Sequence, residues 1–169
     1  MTGVRFEISG AEVTLGVIAR TVAKTDDARG LYDAIGGSLV ASTQKRFEDE
    51  EDPTGTPWPD SLRKILLGGK TLSVRGGAGG LLGSLTHEAS ATGVAVGSNA
   101  IHAAIHQLGG VIRAKTAKGL RFRAPGKGGW VRKMAVTIPA RPYLGLSGDD
   151  EQEIAALCAD WLGAVNDAG

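Results

Sequence analysis

Cysteine, aromatic residues and long apolar runs are scarce in this chain of 169 residues, and each shortage excludes a class of protein. The single Cys158 cannot form an internal disulfide, and its place in an apolar stripe predicts a buried, reduced thiol. Three Trp, two Tyr and three Phe leave a core that is mostly aliphatic. No window approaches the ~18 uninterrupted apolar residues of a membrane span, and residues 1–8 lack the pattern of a secretory signal. We therefore expect a soluble protein of a reducing compartment.

Glycine, in contrast, is abundant, with 26 residues, about twice the usual ~7%. The glycines cluster without a collagen-like period, which predicts loops and flexible stretches near 68–80 and 113–133. The apolar fraction of 42% is enough for a packed core. We expect a single domain over residues 1–169.

The apolar periodicity predicts an α+β fold: a small antiparallel sheet with a long basic hairpin, packed against two amphipathic helices. Strict alternation at residues 4–8 predicts a strand, and the runs on either side of residues 91–93 predict a β-hairpin. Residues 111–136 predict the long hairpin, and short helices are expected at 62–67 and 100–108. Residues 11–24 are compatible with either a strand or a short helix.

Two longer helices are predicted from four-residue spacing of apolar side chains. The first begins at a cap formed by Asp26 or Asp27, contains Leu31, Ile35 and Leu39, and ends in the acidic run before Pro53. Its Gly36–Gly37 pair indicates close packing against another backbone. The second helix is capped by Asp149 or Asp150, and its apolar stripe consists of Ile154, Leu157, Cys158, Trp161, Leu162 and Val165.

The net charge of +1 hides two stretches of opposite sign. Residues 47–60 carry acidic side chains without a basic one, and residues 113–133 carry basic side chains without an acidic one. Three interpretations stay open: two solvated loops, two surfaces of a contact that repeats between identical subunits, or a basic arm that meets nucleic-acid phosphates. The candidate interface residues are Glu48, Asp49, Glu50, Glu51, Asp52, Arg113, Lys115, Arg121, Arg123, Lys127, Arg132, Lys133 and Arg141.

The motifs of enzymes and cofactor sites are missing. His102 and His106 have the spacing of two metal ligands on a helix, but Ala103 stands where a zinc protease needs glutamate, and a structural pair is the preferred interpretation. A G-x-S-x-G elbow and a phosphate-binding glycine loop are both missing. We therefore expect no catalytic residue, no metal and no cofactor.

Three separated motifs carry a resemblance to a known family. They are Gln44-Lys45-Arg46-Phe47 with Glu51-Asp52-Pro53, Gly55 and Trp58; His106-Gln107-Leu108-Gly109-Gly110; and Ile138-Pro139-Ala140-Arg141-Pro142 with Leu144-Gly145. The last segment contains two prolines, so it must run extended and suits an edge or a docking surface. In this order the motifs resemble those of the phage virion morphogenesis (tail completion) family.

The resemblance implies a structural protein of a tailed bacteriophage or prophage, and not an enzyme. It implies tail completion and head–tail joining, through self-association into a ring and contact with other tail or neck proteins. The place of action would be the cytoplasm of the bacterial host during assembly and then the virion. A nucleic-acid-binding module that uses the basic 113–133 arm is the alternative.

Overall fold

The computed structural model describes residues 4–7, 27–72, 80–124, 126 and 129–167, and these form an α+β fold around one central helix. The α+β class is the one that the sequence predicts. Residues 11–24 and the glycine-rich residues 73–79 lie outside the described residues. In chain order the elements are β1 (Val4–Glu7), α1 (Arg29–Asp49), α2 (Leu62–Leu67), β2 (Leu85–Ala89), β3 (Val94–Ser98), α3 (Ala103–Leu108), β4 (Gly110–Arg113), β5 (Leu120–Arg123), β6 (Trp130–Lys133), β7 (Ala135–Ile138) and α4 (Gly148–Asp167).

The central helix α1 buries side chains on two sides. Leu31, Ile35, Leu39 and Phe47 are all buried, as their spacing predicts. Near its start the Asp27 carboxylate accepts a hydrogen bond from the Arg29 backbone N–H at 2.9 Å, so an aspartate does serve the first turn. The position that caps the helix, however, is Ala28.

A three-stranded antiparallel sheet, in the order β1-β3-β2, packs on one side of α1. The β2–β3 hairpin and strand β1 confirm the sequence prediction. Along the middle strand Val94, Val96 and Ser98 are buried and alternate with less buried residues, as expected for a sheet with one covered face. The covered face of the sheet therefore packs against α1 in the core, with Leu85, Val94 and Val96 buried.

The C-terminal helix α4 packs on α1 as well. Ile154 and Cys158 are fully buried and Leu157, Trp161 and Leu162 are half-buried, which confirms this part of the apolar stripe and the buried thiol. The side chain of Val165 lies outside the described residues. A Cβ added to Gly30 of α1 would lie 2.9 Å from the ring of Trp161, so the two helices approach closely there. Helix α1 thus lies between the sheet and α4.

The paired glycines of α1 face different surroundings. A Cβ on Gly36 would lie 2.8 Å from Val94 Cγ2 and closer still to the His87 ring, whereas a Cβ on Gly37 would meet no atom within 4 Å. The prediction of close packing is therefore right for Gly36 alone. Its neighbours are side chains of the sheet, and not another backbone.

The predicted long basic hairpin takes the form of two separate antiparallel ladders, one between β4 and β7 and one between β5 and β6. Residues 114–119 lie opposite Met134 alone, and the Ala114 N–H donates to the Met134 carbonyl at 2.8 Å. The strand pairing of the arm is therefore interrupted between the two ladders. We call residues 110–138 the basic arm.

The two short helices are both present, although α3 begins three residues later than expected. Among the described helices, none is long and apolar enough to cross a membrane.

Candidate assembly surfaces and the buried motif cluster

The proline-containing segment after β7 crosses the interior of the fold. Arg141, Tyr143 and Leu144 are 4%, 0% and 5% exposed, so this part of the segment is buried in the single chain and does not form the predicted edge or docking surface there, whereas Pro139 and Ala140 are exposed. Its prolines do keep it out of sheet pairing, as expected. Its backbone groups are therefore left to side chains that come from distant parts of the chain.

Arg46 of α1 is the first of these side chains. Its guanidinium donates to the carbonyls of Tyr143 and Gly145, at 3.0 Å each, and to the buried carboxylate of Asp150. Both charged side chains are more than nine-tenths buried, so this ion pair is a buried link that holds α1 and α4 together. Such a pair is costly to break, because one charge is then left uncompensated.

Helix α4 is capped by Ser147, and the predicted cap by Asp149 or Asp150 is wrong. The Ser147 hydroxyl accepts a hydrogen bond from the Asp150 N–H, and the Asp150 carboxylate accepts one from the Ser147 N–H at 2.7 Å. This reciprocal pair is a capping box, with aspartate in place of the usual glutamate. Because Asp150 also pairs with Arg46, the start of α4 and the end of α1 are fixed by one carboxylate.

Gln107 of α3 fixes the same segment from the other side. Its amide oxygen accepts hydrogen bonds from the N–H groups of Tyr143 and Leu144 at 2.9 and 3.1 Å. Its amide nitrogen donates to the Leu144 carbonyl at 3.0 Å. Gln107 therefore supplies this segment with the hydrogen-bond partners that a neighbouring strand would supply in a sheet.

Three aromatic rings fill the centre of this cluster. Phe47 packs edge-on against Trp58, with ring centroids 5.3 Å apart, and at a tilt against Tyr143, with centroids 5.2 Å apart. The Trp58 indole N–H donates to the Pro142 carbonyl at 2.8 Å, which anchors the loop of residues 51–60. Burial raises the pKa of Tyr143 to about 12.

Arg141 lies at the edge of the cluster and also bonds to backbone. Its side chain donates to the carbonyls of Pro59 and Asp60, and its N–H donates to the His106 carbonyl. Burial lowers the pKa of the guanidinium, and the Asp60 carboxylate opposes that effect. In the single chain Arg141 therefore holds the loop before α2, and its assignment as an interface residue stays a prediction.

His102, at the position before α3, and His106 of α3 make a close edge-on contact, with ring centroids 5.7 Å apart. Burial, and then the charges of His102 and Arg141, lower the pKa of His106. Within the described part of the chain, no group of three or more His, Cys, Asp and Glu side chains is arranged to hold a metal ion.

The acidic run at the end of α1 divides into two sets. Glu50 and Asp52 stabilise the local fold: Glu50 binds Lys64 at 2.7 Å, and Asp52 accepts the Thr54 and Thr56 N–H groups. Burial works to raise the pKa of Glu50, but the hydrogen bonds from Lys64 and Thr71 outweigh it and lower the pKa. Hydrogen bonding from Thr54 lowers the pKa of Asp52. Glu48 and Asp49 are exposed and Glu51 is half-buried.

An open cleft of about 620 Å³ lies between the second half of α1, residues 51–55 and the start of α4. The charged side chains in its lining are mostly acidic, namely Asp49, Glu51, Asp52, Asp149, Asp150 and Glu153, against Lys45 and Arg46. The acidic run predicted from sequence is thus extended by α4, which the sequence alone did not place beside it.

The basic arm presents one cationic face. In the ladder of β5 and β6, Arg121 lies opposite Arg132 and Arg123 lies opposite Trp130, so these four side chains share a face. All four residues are exposed, and the Arg121 guanidinium lies 4.3 Å from the centroid of the Trp130 ring. Arg113, Lys115 and Lys133 are exposed as well, and Lys127 lies outside the described residues.

Arg46, Phe47, Trp58, Gln107 and residues 141–144, which belong to the three motifs, thus meet in one cluster, and other motif residues such as Leu108 and Pro139 are exposed. The model of the phage virion morphogenesis family matches residues 8–163, and the chain belongs to that family. The resemblance read from the three motifs is confirmed.

Curated relatives of the chain come from phage Mu and Mu-like prophages. It is 28% identical over 145 residues to Mu-like prophage FluMu G protein 1 of Haemophilus influenzae, which covers 82% of each chain. It is 29% identical over 159 residues to G protein 2 of the same prophage, covering 94% of this chain and 96% of the relative. The putative capsid assembly protein G of Escherichia phage Mu is 31% identical over 135 residues, covering 75% and 74%. No solved structure matches the chain.

Proposed function

We propose that the chain is a structural subunit that acts in tail completion and head–tail joining of a bacteriophage or prophage virion. It associates with itself into a ring and contacts other tail or neck proteins, in the host cytoplasm during assembly and then in the virion. The family supports virion morphogenesis, and the name of the phage Mu relative, a putative capsid assembly protein, supports a role in building the particle. The proposal includes no catalytic step.

The observation that carries self-association is the separation of charge within the chain. Residues 89–148 contain no Asp or Glu and nine Lys or Arg, namely Arg113, Lys115, Lys118, Arg121, Arg123, Lys127, Arg132, Lys133 and Arg141. All 18 acidic residues therefore lie outside that stretch, together with the other ten of the 19 basic ones. A near-neutral molecule with one basic and one acidic surface is complementary to copies of itself.

The basic arm also has the properties of an element that needs a neighbour. A two-stranded ladder is marginally stable alone in water, and the strands of the arm leave most of their side chains exposed or half-buried. A contact that joins two different surfaces of identical subunits closes into a ring when its rotation permits. Opposite charges orient the subunits before they touch.

Sedimentation velocity tests this proposal directly. The wild-type chain should form an oligomer that dissociates as salt is raised, because exposed charges are screened over about 10 Å at 0.1 M salt. Reversing the exposed Arg121 and Arg123 to glutamate should weaken assembly, while the exposed Arg29→Glu on α1 serves as the charge control. If the Arg121→Glu, Arg123→Glu double variant assembles as well as the control, the arm is not part of the interface.

A second candidate, binding of nucleic acid by the same arm, is favoured by its cationic face. Like charges directly opposite each other destabilise a strand pair, and Arg121 faces Arg132 in this way. Phosphate groups would relieve that repulsion, and the exposed Trp130 offers a surface for base stacking. If three arginines contact phosphates, log K should fall with log salt at a slope of roughly −2 to −3.

The charge-reversal variant also separates the two functions. Loss of the oligomer with unchanged affinity for a DNA oligonucleotide supports self-association. Loss of DNA affinity with an intact oligomer supports the second candidate. Trp130→Ala adds a finer test, since it should weaken binding to single-stranded more than to double-stranded DNA if bases stack on the ring.

A further inference from the structure

The short helix α2 has its apolar side chains turned toward solvent. Leu62, Ile65, Leu66 and Leu67 are 69%, 63%, 56% and 61% exposed, and no residue of the helix is buried. Four large apolar residues in one turn and a half form a concentrated exposed patch. Such patches mark sites of interaction in soluble proteins.

The polar side chains of α2 are the ones that hold it to the fold. Lys64 donates to Glu50 at 2.7 Å and to Asp60 at 2.8 Å, and Arg63 donates to the Lys70 carbonyl at 2.7 Å. The Ser61 hydroxyl caps the helix by accepting from the Lys64 N–H. A six-residue helix is unstable alone in water, so these contacts fix both the helix and its orientation. The apolar face is thus held outward by specific bonds.

We infer that α2 is the helix by which one copy of this chain docks on the next, and that its seat is the apolar base of the basic arm of that next copy. The inference rests on the self-association proposed above and names its surfaces. The seat consists of Leu108 at the end of α3 and Val111 of β4, which are 75% and 48% exposed. Val111 shares its face of the strand with the exposed Arg113, whereas Ile112 lies on the opposite face. Apolar side chains thus meet apolar side chains, and charges surround both patches.

Charge decides in favour of this pairing over contact between two α2 helices. The stretch of sequence that includes α2, residues 48–72, contains six acidic and three basic residues, whereas residues 89–148 contain nine basic and none acidic. Contact between two copies of α2 would bring two acidic runs together. Contact between α2 and the arm brings opposite charges together, and it joins two different surfaces, as a ring requires.

In the described part of a single chain, the tip of the arm lies near α2. A Cβ built on Gly126, near the tip of the arm, would lie 3.6 Å from Leu66 Cβ. This contact leaves Leu62, Ile65 and Leu67 more than 60% exposed. Among the described residues, the apolar face of α2 therefore stays largely uncovered within one chain.

Two substitutions and their mixture test the inference. Ile65→Asp places a charge on α2, Leu108→Asp places one at the base of the arm, and Ala91→Asp in the exposed β2–β3 turn is the matched control. Each of the first two should weaken self-association by about 30-fold or more, as for a residue that anchors an interface. Both sites are exposed, so melting temperatures close to that of the control should show that folding is intact.

Mixing the two variants in equal amounts should produce a dimer, read by sedimentation or native mass spectrometry. The intact arm of Ile65→Asp can seat the intact α2 of Leu108→Asp, while every other contact is damaged. A mixture that stays monomeric, or an Ile65→Asp variant that assembles like wild type, would overturn the inference and leave self-association standing. A wild-type chain that is monomeric at every concentration would overturn both.

Discussion

Asp150→Asn is the substitution that tests the buried cluster most sharply. It keeps the shape of the side chain and one oxygen, but it removes the charge that faces the Arg46 guanidinium. Arg46 would then be more than nine-tenths buried without its carboxylate. The matched control is Asp149→Asn, one residue earlier in the same helix turn and exposed. Both variants lose the same charge near the positive end of α4.

The expected cost follows from this comparison. Loss of a carboxylate from the first turn of a helix costs about 0.3–1 kcal/mol at an exposed position, and both variants share that term. Removing one partner of a buried ion pair costs about 3–5 kcal/mol. For a chain of this length 1 kcal/mol shifts the melting temperature by about 2–4 °C. Asp150→Asn should therefore melt about 6–20 °C below wild type, and Asp149→Asn within a few degrees of it.

Urea unfolding followed by tryptophan fluorescence measures the difference, with equal m-values as the condition for comparing midpoints. A double-mutant cycle with Arg46→Met should show that the two losses are strongly non-additive, because the residues share one contact. If the free energies of unfolding of Asp150→Asn and Asp149→Asn differ by less than about 1 kcal/mol, the ion pair does not stabilise the contact between α1 and α4 as argued.

Three further predictions concern other buried contacts of the fold. Gln107→Leu leaves the Tyr143 and Leu144 N–H groups without their acceptor and should lower the free energy of unfolding, measured in urea, by about 2–4 kcal/mol. The exposed Gln152→Leu is the control and should lower it hardly at all. Equal urea midpoints for the two variants would contradict this prediction. Gly36→Ala should destabilise by about 1–3 kcal/mol through overlap with His87 and Val94, while Gly37→Ala should stabilise by about 0.5–1 kcal/mol, and the order of the two melting temperatures is the check. The pKa of Tyr143 is about 12 in the folded chain against 10.0 for the free side chain, so between these pH values the unfolded chain binds fewer protons than the folded one. The free energy of unfolding should therefore keep the full contribution of Tyr143 below pH 10 and fall as the pH rises toward 12. Tyr143→Phe should make this fall less steep.

The sequence was sufficient for the elements that follow a repeated pattern. The spacing of Leu31, Ile35 and Leu39 predicted α1, and the stripe around Ile154 and Cys158 predicted α4, since each pattern spans several helical turns. The antiparallel β2–β3 hairpin followed from two short runs and a glycine turn. These features depend on local order that a single chain displays directly.

The segment after β7 shows where such reasoning ends. Its two prolines correctly predicted a segment that does not pair in a sheet, and this suggested an exposed surface. The structure instead satisfies its backbone with Arg46, Trp58 and Gln107, which are far away in sequence. Only the three-dimensional contacts reveal that exception. The capping box of Ser147 and Asp150, in contrast, was readable from their spacing and was missed.

Helix α2 was predicted, but its orientation was not. Four apolar residues in six positions look like a buried segment, and a helix this short gives no period from which to assign a face. Only the bonds of Lys64 to Glu50 and Asp60 show that the polar side faces inward. The apolar patch on which the proposed docking depends is therefore a property of the fold.

Sedimentation of the wild-type chain at low and high salt tests most directly whether this protein works by joining copies of itself. Complementary charged surfaces around an exposed apolar helix predict a discrete oligomer at low salt that shifts toward the 17.4 kDa monomer as salt rises. A single 17.4 kDa species at every protein and salt concentration would contradict it.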